Sequence, residues 1–280
     1  MAKKHTKIAV LDLYNNVPNQ GMRCIKEIIS SQDTVLGESL SYDIYDTRYK
    51  NELPKAQDYD IYISTGGPGS PFDGEGLAWE KNFFALIDNL WNHNQQHTDR
   101  KKYMFFICHS FQMMCRFFQL AYITKRKSTS FGIFPVHKIH HADRDVILGD
   151  LPEPYYAVDS RDWQVIQPIE KNLHTLGAKV ISIEKDRPHV NLERATMAIR
   201  ISDEFFGTQF HPEADPIGMS MYFQQEEKRK QIIENHGEEK YNSMITHLND
   251  PDKISMTYSK VIPNFLTNAV LALHPEMAHA

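Results

Sequence analysis

Cysteine is scarce in this chain: three residues among 280, Cys24, Cys108 and Cys115. An odd number without the regular spacing of a disulfide framework is typical of a protein in a reducing compartment. No apolar run approaches the roughly 18 residues of a membrane span, and the apolar run after the basic N-terminus is too short for a secretion signal. We therefore expect a cytoplasmic protein without a membrane partner.

An excess of positive charge is also absent. The chain has 31 Lys and Arg against 36 Asp and Glu, a formal charge of −5, whereas general nucleic-acid binding usually needs a basic face. Two short basic runs, at 125–127 and 228–230, are typical of solvated helix ends or loops. With 41% hydrophobic and 24% charged residues, the composition indicates a folded globular protein, and we expect no nucleic-acid partner.

Strand-like and helix-like segments alternate as far as residue 121. The pattern predicts strands at 7–13, 42–45, 59–65 and 103–107, with helices between and after them, the last at 109–121. Such alternation predicts an α/β fold, in which helices cover both faces of a mostly parallel central sheet.

The pattern of predicted secondary structure changes in the second half of the chain. Strand-like runs at 132–139, 155–167, 178–184, 195–201 and 204–210 predict an antiparallel β extension of the sheet. Beyond residue 216, helices are predicted at 224–235, 239–248 and 254–273, with a break at 249–252. We divide the chain into an α/β domain, 1–215, and a helical C-terminal extension, 216–280. Two roles stay open for the extension: covering a site and forming a homodimer.

Cys108 follows a predicted strand and begins a predicted helix. A nucleophile on such a turn is exposed at the carboxyl edge of the sheet. The helix N-terminus behind it favours a thiolate and a developing oxyanion. The pattern alone is weak, because free cysteine is among the most buried residue types. Cys24 and Cys115 are interpreted in that way, as buried helix residues.

A second motif, Gly-Thr-Gln-Phe-His-Pro-Glu at 207–213, ends a predicted strand. Residues i and i+2 of an extended segment point the same way, so His211 and Glu213 project together. A carboxylate beside an imidazole fixes its tautomer and raises its basicity, which is the orienting role in a nucleophile–base–acid triad. The alternative interpretation is a surface turn.

A third motif, Ser-Thr-Gly-Gly-Pro-Gly-Ser-Pro at 64–71, follows another predicted strand. Its glycines let the backbone approach a ligand closely and expose N–H groups. The absence of a Gly-Lys-Ser/Thr ending argues against a phosphate-binding loop. A plain turn is the alternative.

In this order and spacing, the three motifs resemble those of the class I (triad) glutamine amidotransferases, in particular a stand-alone GMP-synthase-like domain. The resemblance covers roughly residues 7–215 and includes Phe-Gly-Ile-Phe-Pro-Val at 131–136. It implies a flavodoxin-like fold with Cys108 as nucleophile, His211 as general base and acid, and Glu213 as the group that orients His211.

The resemblance also implies the remaining parts of the site. Backbone N–H groups of Gly67 and His109 would form the oxyanion hole, and Gln112 and Ser160 would contact the substrate. It implies no cofactor and no metal. The reaction would be hydrolysis of a glutamine or γ-glutamyl amide through a γ-glutamyl thioester.

Three positions depart from the family pattern. The family's nucleophile elbow is the strand-to-helix turn that carries the cysteine. Phe106 and Ser110 stand where that elbow has glycines, and small residues are favoured there because the strand and the helix approach closely. Ser110 is tolerable, whereas Phe106 predicts a wider elbow. Asp159 takes the place of a family histidine, which predicts a different amino-acid end of the pocket.

Several functions remain open. The chain contains no acceptor domain, so ammonia used in synthesis would pass to a separate synthetase subunit. The alternatives are a stand-alone γ-glutamyl peptide hydrolase, a homoserine O-acyltransferase-like enzyme, which also combines an elbow cysteine with His-Pro-Glu, and a non-catalytic member that binds a metabolite or partner.

One further cluster could suggest a metal site. It consists of His137, His140, His141, Asp143 and Asp145. No cysteine pair or His-Glu-x-x-His helix accompanies it, so we favour a solvated strand.

Overall fold

The structure, a computed structural model, describes residues 5–37, 39–139, 142–187, 191–248, 250 and 253–276. Within these residues, nine strands form one sheet. The strands are β1 (His5–Asp12), β2 (Ser39–Asp46), β3 (Ile61–Ser64), β4 (Tyr103–Ile107), β5 (Ala121–Lys138), β6 (Tyr155–Pro168), β7 (Lys179–Glu184), β8 (Thr196–Arg200) and β9 (Phe205–Thr208). The helices are α1 (Gly21–Leu36), α2 (Thr47–Lys50), α3 (Ala78–Gln96), α4 (His109–Phe117), α5 (Glu170–Leu176), α6 (Pro216–Gln224), α7 (Glu226–His236), α8 (Glu238–Leu248) and α9 (Ile254–Leu273).

The sheet combines a parallel half and an antiparallel half. Its spatial order is β2-β1-β3-β4-β9-β8-β7-β5-β6. Neighbours from β2 to β9 are parallel, and neighbours from β9 to β6 are antiparallel. The predicted α/β fold is therefore confirmed. Because parallel strands end at the same edge of a sheet, the loops after β1, β3, β4 and β9 meet there.

Two predictions near residue 120 are wrong. The helix predicted at 109–121 ends at Phe117, and β5 begins at Ala121 instead of Gly132. Gln119 has a φ of +51°, a conformation that does not continue a right-handed helix. The chain then pairs with β6 from Ala121 onward. The basic run at 125–127 consequently lies in a strand, not at a helix end or in a loop.

Each face of the sheet has its own core. Side chains alternate along β1, so that Ile8 and Val10 pack in one cluster with α1 and α9. Ala9 and Leu11 pack in a second cluster with α3 and α4. The parallel strands are apolar on both faces because helices cover both. Cys24 in α1 and Cys115 in α4 are buried, as predicted.

The C-terminal helices divide between two cores. Helices α6, α7 and α8 form a third, smaller cluster against the β5–β6 hairpin. Helix α9 instead packs in the first cluster, where the Phe265 ring lies 5.1 Å from that of Phe105. The segment 216–280 therefore includes a helix of the main core. Of the predicted break at 249–252, only Asp250 lies inside the described residues. None of the helices described is long and apolar enough to cross a membrane.

Replacing Phe265 with alanine should destabilise the fold by about 3–5 kcal/mol, because the buried ring leaves a cavity beside Phe105. Urea denaturation measures this difference. Ser259→Ala, at an exposed position of the same helix, is the matched control and should stay within about 0.5 kcal/mol of the parent chain. A similarly small effect of Phe265→Ala would show that α9 contributes little to the core.

Candidate functional site

Cys108 occupies a one-residue turn between β4 and α4. Its φ of 47° and ψ of −96° lie outside the regions that residues other than glycine favour. Such strain persists only where the surroundings hold it. The Cys108 N–H donates to the Thr208 carbonyl over 2.7 Å, which ties the turn to β9.

Ser110 provides the second restraint on this turn. Its buried hydroxyl accepts a hydrogen bond from the Ile107 N–H and donates one to the Ser64 carbonyl, both over 2.8 Å. A glycine at this position could make neither bond. The thiol of Cys108 is therefore held at the N-terminus of α4 by contacts to β3, β4 and β9.

Phe106 does not widen the elbow, contrary to the expectation from its size. Its ring packs in the second core cluster, 6.0 Å from that of Phe205. Gly207 stands opposite Phe106 in the β4–β9 register, and a Cβ there would lie 2.7 Å from the Phe111 ring of α4. The space for close packing of α4 thus comes from residue 207 instead of residue 106.

His211 lies against Cys108 and Glu213. Its Nδ1 is 2.8 Å from Glu213 Oε1, and its ring lies beside Cys108, with which it interacts electrostatically. Its backbone N–H donates to the Val158 carbonyl of β6 over 2.9 Å. Burial opposes protonation of His211, but the charges of Glu213 and of a Cys108 thiolate raise its pKa well above the usual value. The arrangement therefore favours the imidazolium form of His211.

The loop after β3 approaches this pair through two glycines. A Cβ on Gly66 would lie 2.9 Å from His211 Cε1, and one on Gly67 would lie 2.4 Å from the Leu13 carbonyl oxygen. Larger residues would push the loop away from Cys108. Gly67 and His109, the residues of the predicted oxyanion hole, line the same cleft as Cys108.

Both predicted substrate contacts lie in this cleft. Gln112 is buried and donates through Nε2 to the Gln209 Oε1, at 3.2 Å, and to the Trp163 carbonyl, at 3.3 Å. Ser160 is exposed, and its carbonyl lies 3.7 Å from the Cys108 sulfur. Gln209, which sequence reasoning did not single out, also donates to that sulfur over 3.7 Å.

Arg161 is a second residue that sequence reasoning missed. Asp159 does not line the cleft; it is buried and accepts hydrogen bonds from Ser130 and from Arg161 Nε. Arg161 lines the cleft instead, and its charge interacts with that of Cys108. Period-two alternation of β6, which places residues 159 and 161 on one side, was the available signal.

The cleft has a volume of about 1210 Å³. Helix α6 forms one wall and contributes Met219, Met221 and Tyr222. Tyr14, from the loop after β1, is also part of the lining, and no sequence pattern pointed to it. Its hydroxyl and Glu213 Oε2 are buried and have no hydrogen-bond partner among the described residues. Through α6, the C-terminal segment therefore forms part of the wall of the cleft.

The histidine and aspartate cluster at 137–145 is only partly described. His140 and His141 lie outside the described residues. His137 pairs with Glu153 over 2.7 Å, and Asp145 pairs with Arg200. Among the residues described, no group of three His, Cys, Asp or Glu is arranged to hold a metal ion.

The family model described as glutamine amidotransferase class-I matches residues 24–229. No curated protein sequence is significantly similar to the chain.

Solved structures with the same fold include three described as glutamine amidotransferases or as a glutaminase domain. The glutamine amidotransferase of Thermotoga maritima is 16% identical, with a TM-score of 0.69 over 95% of this chain and 99% of that one. That of Methylobacillus flagellatus is 14% identical, with a TM-score of 0.65 over 98% and 96%. The CTPS glutaminase domain of Trypanosoma brucei, solved with bound acivicin, is 12% identical, with a TM-score of 0.56 over 76% and 89%. At these identities the likeness concerns the fold.

The buried side chain of His109 predicts a dependence of stability on pH. Burial, and then the charges of Arg48 and Arg116, lower its pKa to about 3, whereas an unfolded histidine titrates near pH 6.5. Between these values the unfolded chain binds one more proton than the fold. Stability should therefore fall as the pH drops from about 6.5 towards 3, by at most about 1.4 kcal/mol per unit from this group.

Urea denaturation between pH 4 and 7 measures this slope, and His109→Gln should flatten it. The raised pKa of His211 acts in a separate window, because its contribution is lost only as the pH rises above about 6.5. His174→Gln, at an exposed position of α5, removes one histidine away from the elbow and is the control. An unchanged slope in His109→Gln would contradict the prediction.

Proposed function

Because the chain belongs to the class-I glutamine amidotransferase family, we propose that it hydrolyses the side-chain amide of glutamine or of a related γ-glutamyl compound. The observation that carries this proposal is the contact of three groups in one cleft. The Cys108 thiol lies beside the His211 imidazole, which is paired with the Glu213 carboxylate. A nucleophile, a proton carrier and an orienting carboxylate are thereby adjacent.

In the proposed reaction the Cys108 thiolate attacks the carbonyl carbon of the amide. The backbone N–H groups of Gly67 and His109 hold the oxyanion that forms. His211 gives its proton to the departing nitrogen, so the C–N bond breaks and ammonia or an amine leaves. Water, deprotonated by His211, then attacks the γ-glutamyl thioester, and the Cys108 thiolate departs as the acid is released.

The cleft volume favours a second candidate beside free glutamine. A cavity of about 1210 Å³ exceeds the roughly 300–1,000 Å³ of ordinary ligand pockets, and glutamine is small among such ligands. Helix α6 begins shortly after Glu213, so its side chains lie near the group that protonates the departing nitrogen. A γ-glutamyl amide with a substituted nitrogen would use this additional space.

The nitrogen released from the amide has two candidate destinations. Ammonia made from glutamine would pass to a separate synthetase subunit, whereas a substituted amine would leave as a product. We place the enzyme in a reducing compartment such as the cytoplasm, because the mechanism needs Cys108 as a free thiol.

Release of ammonia and glutamate from purified protein tests the reaction, with glutamine and a panel of γ-glutamyl amides as substrates. Turnover of at least one of them should occur and should be abolished in Cys108→Ala. Cys115→Ala, in the buried part of α4, is the matched control and should retain turnover. Equal activity of Cys108→Ala and the parent protein would exclude the proposed nucleophile.

The three cysteines should differ in their rate of alkylation by iodoacetamide at neutral pH. Burial raises the pKa of Cys24 to about 12 and raises that of Cys115 well above its ordinary value, so both remain protonated. Cys108 instead lies at the N-terminus of α4 and beside the His211 imidazole, surroundings that are typical of reactive cysteines. Mass spectrometry of peptides should find Cys108 modified first, and preferential labelling of Cys24 or Cys115 would contradict the assignment.

Glu213→Gln should lower kcat by roughly 10²- to 10⁴-fold, because the amide cannot stabilise the imidazolium of His211. The KM should change little, since Glu213 is not expected to bind substrate. Steady-state kinetics on the best substrate of the panel measures both constants. A loss expressed only in KM would indicate a binding role instead.

A further inference from the structure

Glu184, at the end of β7, is surrounded by guanidinium groups. Its carboxylate accepts hydrogen bonds from Arg161 Nη2 over 3.2 Å and from Arg187 Nη2 over 2.9 Å. Arg126 Nη1 lies 3.2 Å from the same carboxylate. Arg194 Nε donates to the Glu184 carbonyl over 2.7 Å. Three guanidinium groups thus contact the buried Glu184 carboxylate, and a fourth contacts its backbone carbonyl.

Among the described residues, one more buried carboxylate belongs to this cluster. It is Asp159, whose Oδ1 pairs with Arg161 over 2.8 Å. The neighbouring acidic residues Asp186 and Glu193 are exposed, and their carboxylates accept from backbone N–H groups. The buried carboxylates therefore leave an excess of positive charge.

Two lysines add to this excess around the ring of Phe134. Lys185 Nζ lies 3.8 Å and Lys240 Nζ lies 4.1 Å from the ring centroid, and neither pairs with a carboxylate in the described part of the chain. Burial, and then the charge of Lys185, lower the pKa of Lys240 to about 8. Burial also lowers the pKa of Lys185, and the charges of Arg187 and Arg126 add to this against the opposing charge of Glu184.

Two donors in the cluster have no acceptor among the residues described. They are Arg187 Nε and Arg194 Nη2, and both atoms are buried. Buried donors in folded proteins are nearly always paired. An acceptor is therefore lacking at both atoms, and the surrounding excess of positive charge favours an anionic one.

We propose that Lys185, Lys240 and Arg187 bind a multiply charged oxyanion, the phosphate or pyrophosphate group of a small metabolite. Guanidinium forks and ammonium groups together are the side chains that recognise phosphate. A single carboxylate would neutralise one charge of the excess, whereas a phosphate supplies two negative charges and several acceptor oxygens.

The position of the cluster connects it to the cleft in two ways. Arg161 bonds Glu184 at one side and lines the cleft at the other. Lys240 belongs to α8, which packs with α6 in the third core cluster, and α6 is a wall of the cleft. A bound anion would hold α8 against β5 and β7, and would thereby order that wall.

Calorimetric titration and thermal unfolding test the site, with inorganic phosphate, pyrophosphate and ATP as probes and sodium chloride at matched ionic strength as reference. Binding should be saturable, and at least one probe should raise the Tm beyond the chloride reference. Inorganic phosphate alone would identify a free anion as ligand, whereas preference for ATP would identify a phosphoryl group on a larger molecule. The double variant Lys185→Gln/Lys240→Gln should weaken binding about tenfold or more.

Lys81→Gln, at an exposed position of α3, removes one charge elsewhere and should bind as the parent protein does. Arg187→Gln tests the guanidinium separately and should also weaken binding. An effect of every probe equal to that of chloride would overturn the proposal, as would equal affinities in the double variant and the parent protein. Binding of polyglutamate with no response to phosphate or pyrophosphate would also overturn it and indicate an acidic protein segment.

Discussion

The hydrogen bonds of Ser110 and Thr208 to the turn at Cys108 are the restraint on which the site depends. They hold a non-glycine residue at a φ of 47°, and they come from two different elements, α4 and β9. If the turn relaxed, the sulfur would leave both the N-terminus of α4 and the imidazole of His211. Strain at this residue is thus maintained by the parallel sheet itself.

The position of the Cys108 sulfur also determines the electrostatics around His211. The carboxylate of Glu213 and the sulfur of Cys108 lie on two sides of His211, so their combined field outweighs the cost of burying an imidazolium. Arg161 adds a positive charge to the lining of the same cleft. Because Cys108 and Glu213 are buried, these few groups act at short range with weak screening.

The parts of the fold and of the site that could be predicted from the sequence are those that depend on the pattern of neighbouring residues. Strand β4 is apolar at every position because both faces are covered, so its limits were predictable. The projection of His211 and Glu213 on one side follows from period-two alternation. In contrast, Tyr14 and the cations around Glu184 come together only through tertiary register, which has no short-range signal. The start of β5 was missed because its first half is polar and is defined by pairing with β6.

Helix α9 has a consequence for the order in which the molecule can form. Its buried face completes the core beneath β4, while Cys108, His211 and Glu213 all precede it in the chain. During synthesis a nascent chain therefore carries every side chain of the proposed triad before the sheet beneath them is covered. The long sequence separation between α9 and its partners also delays their contact. The core beneath β4 is accordingly completed only after all three of these side chains have been synthesised.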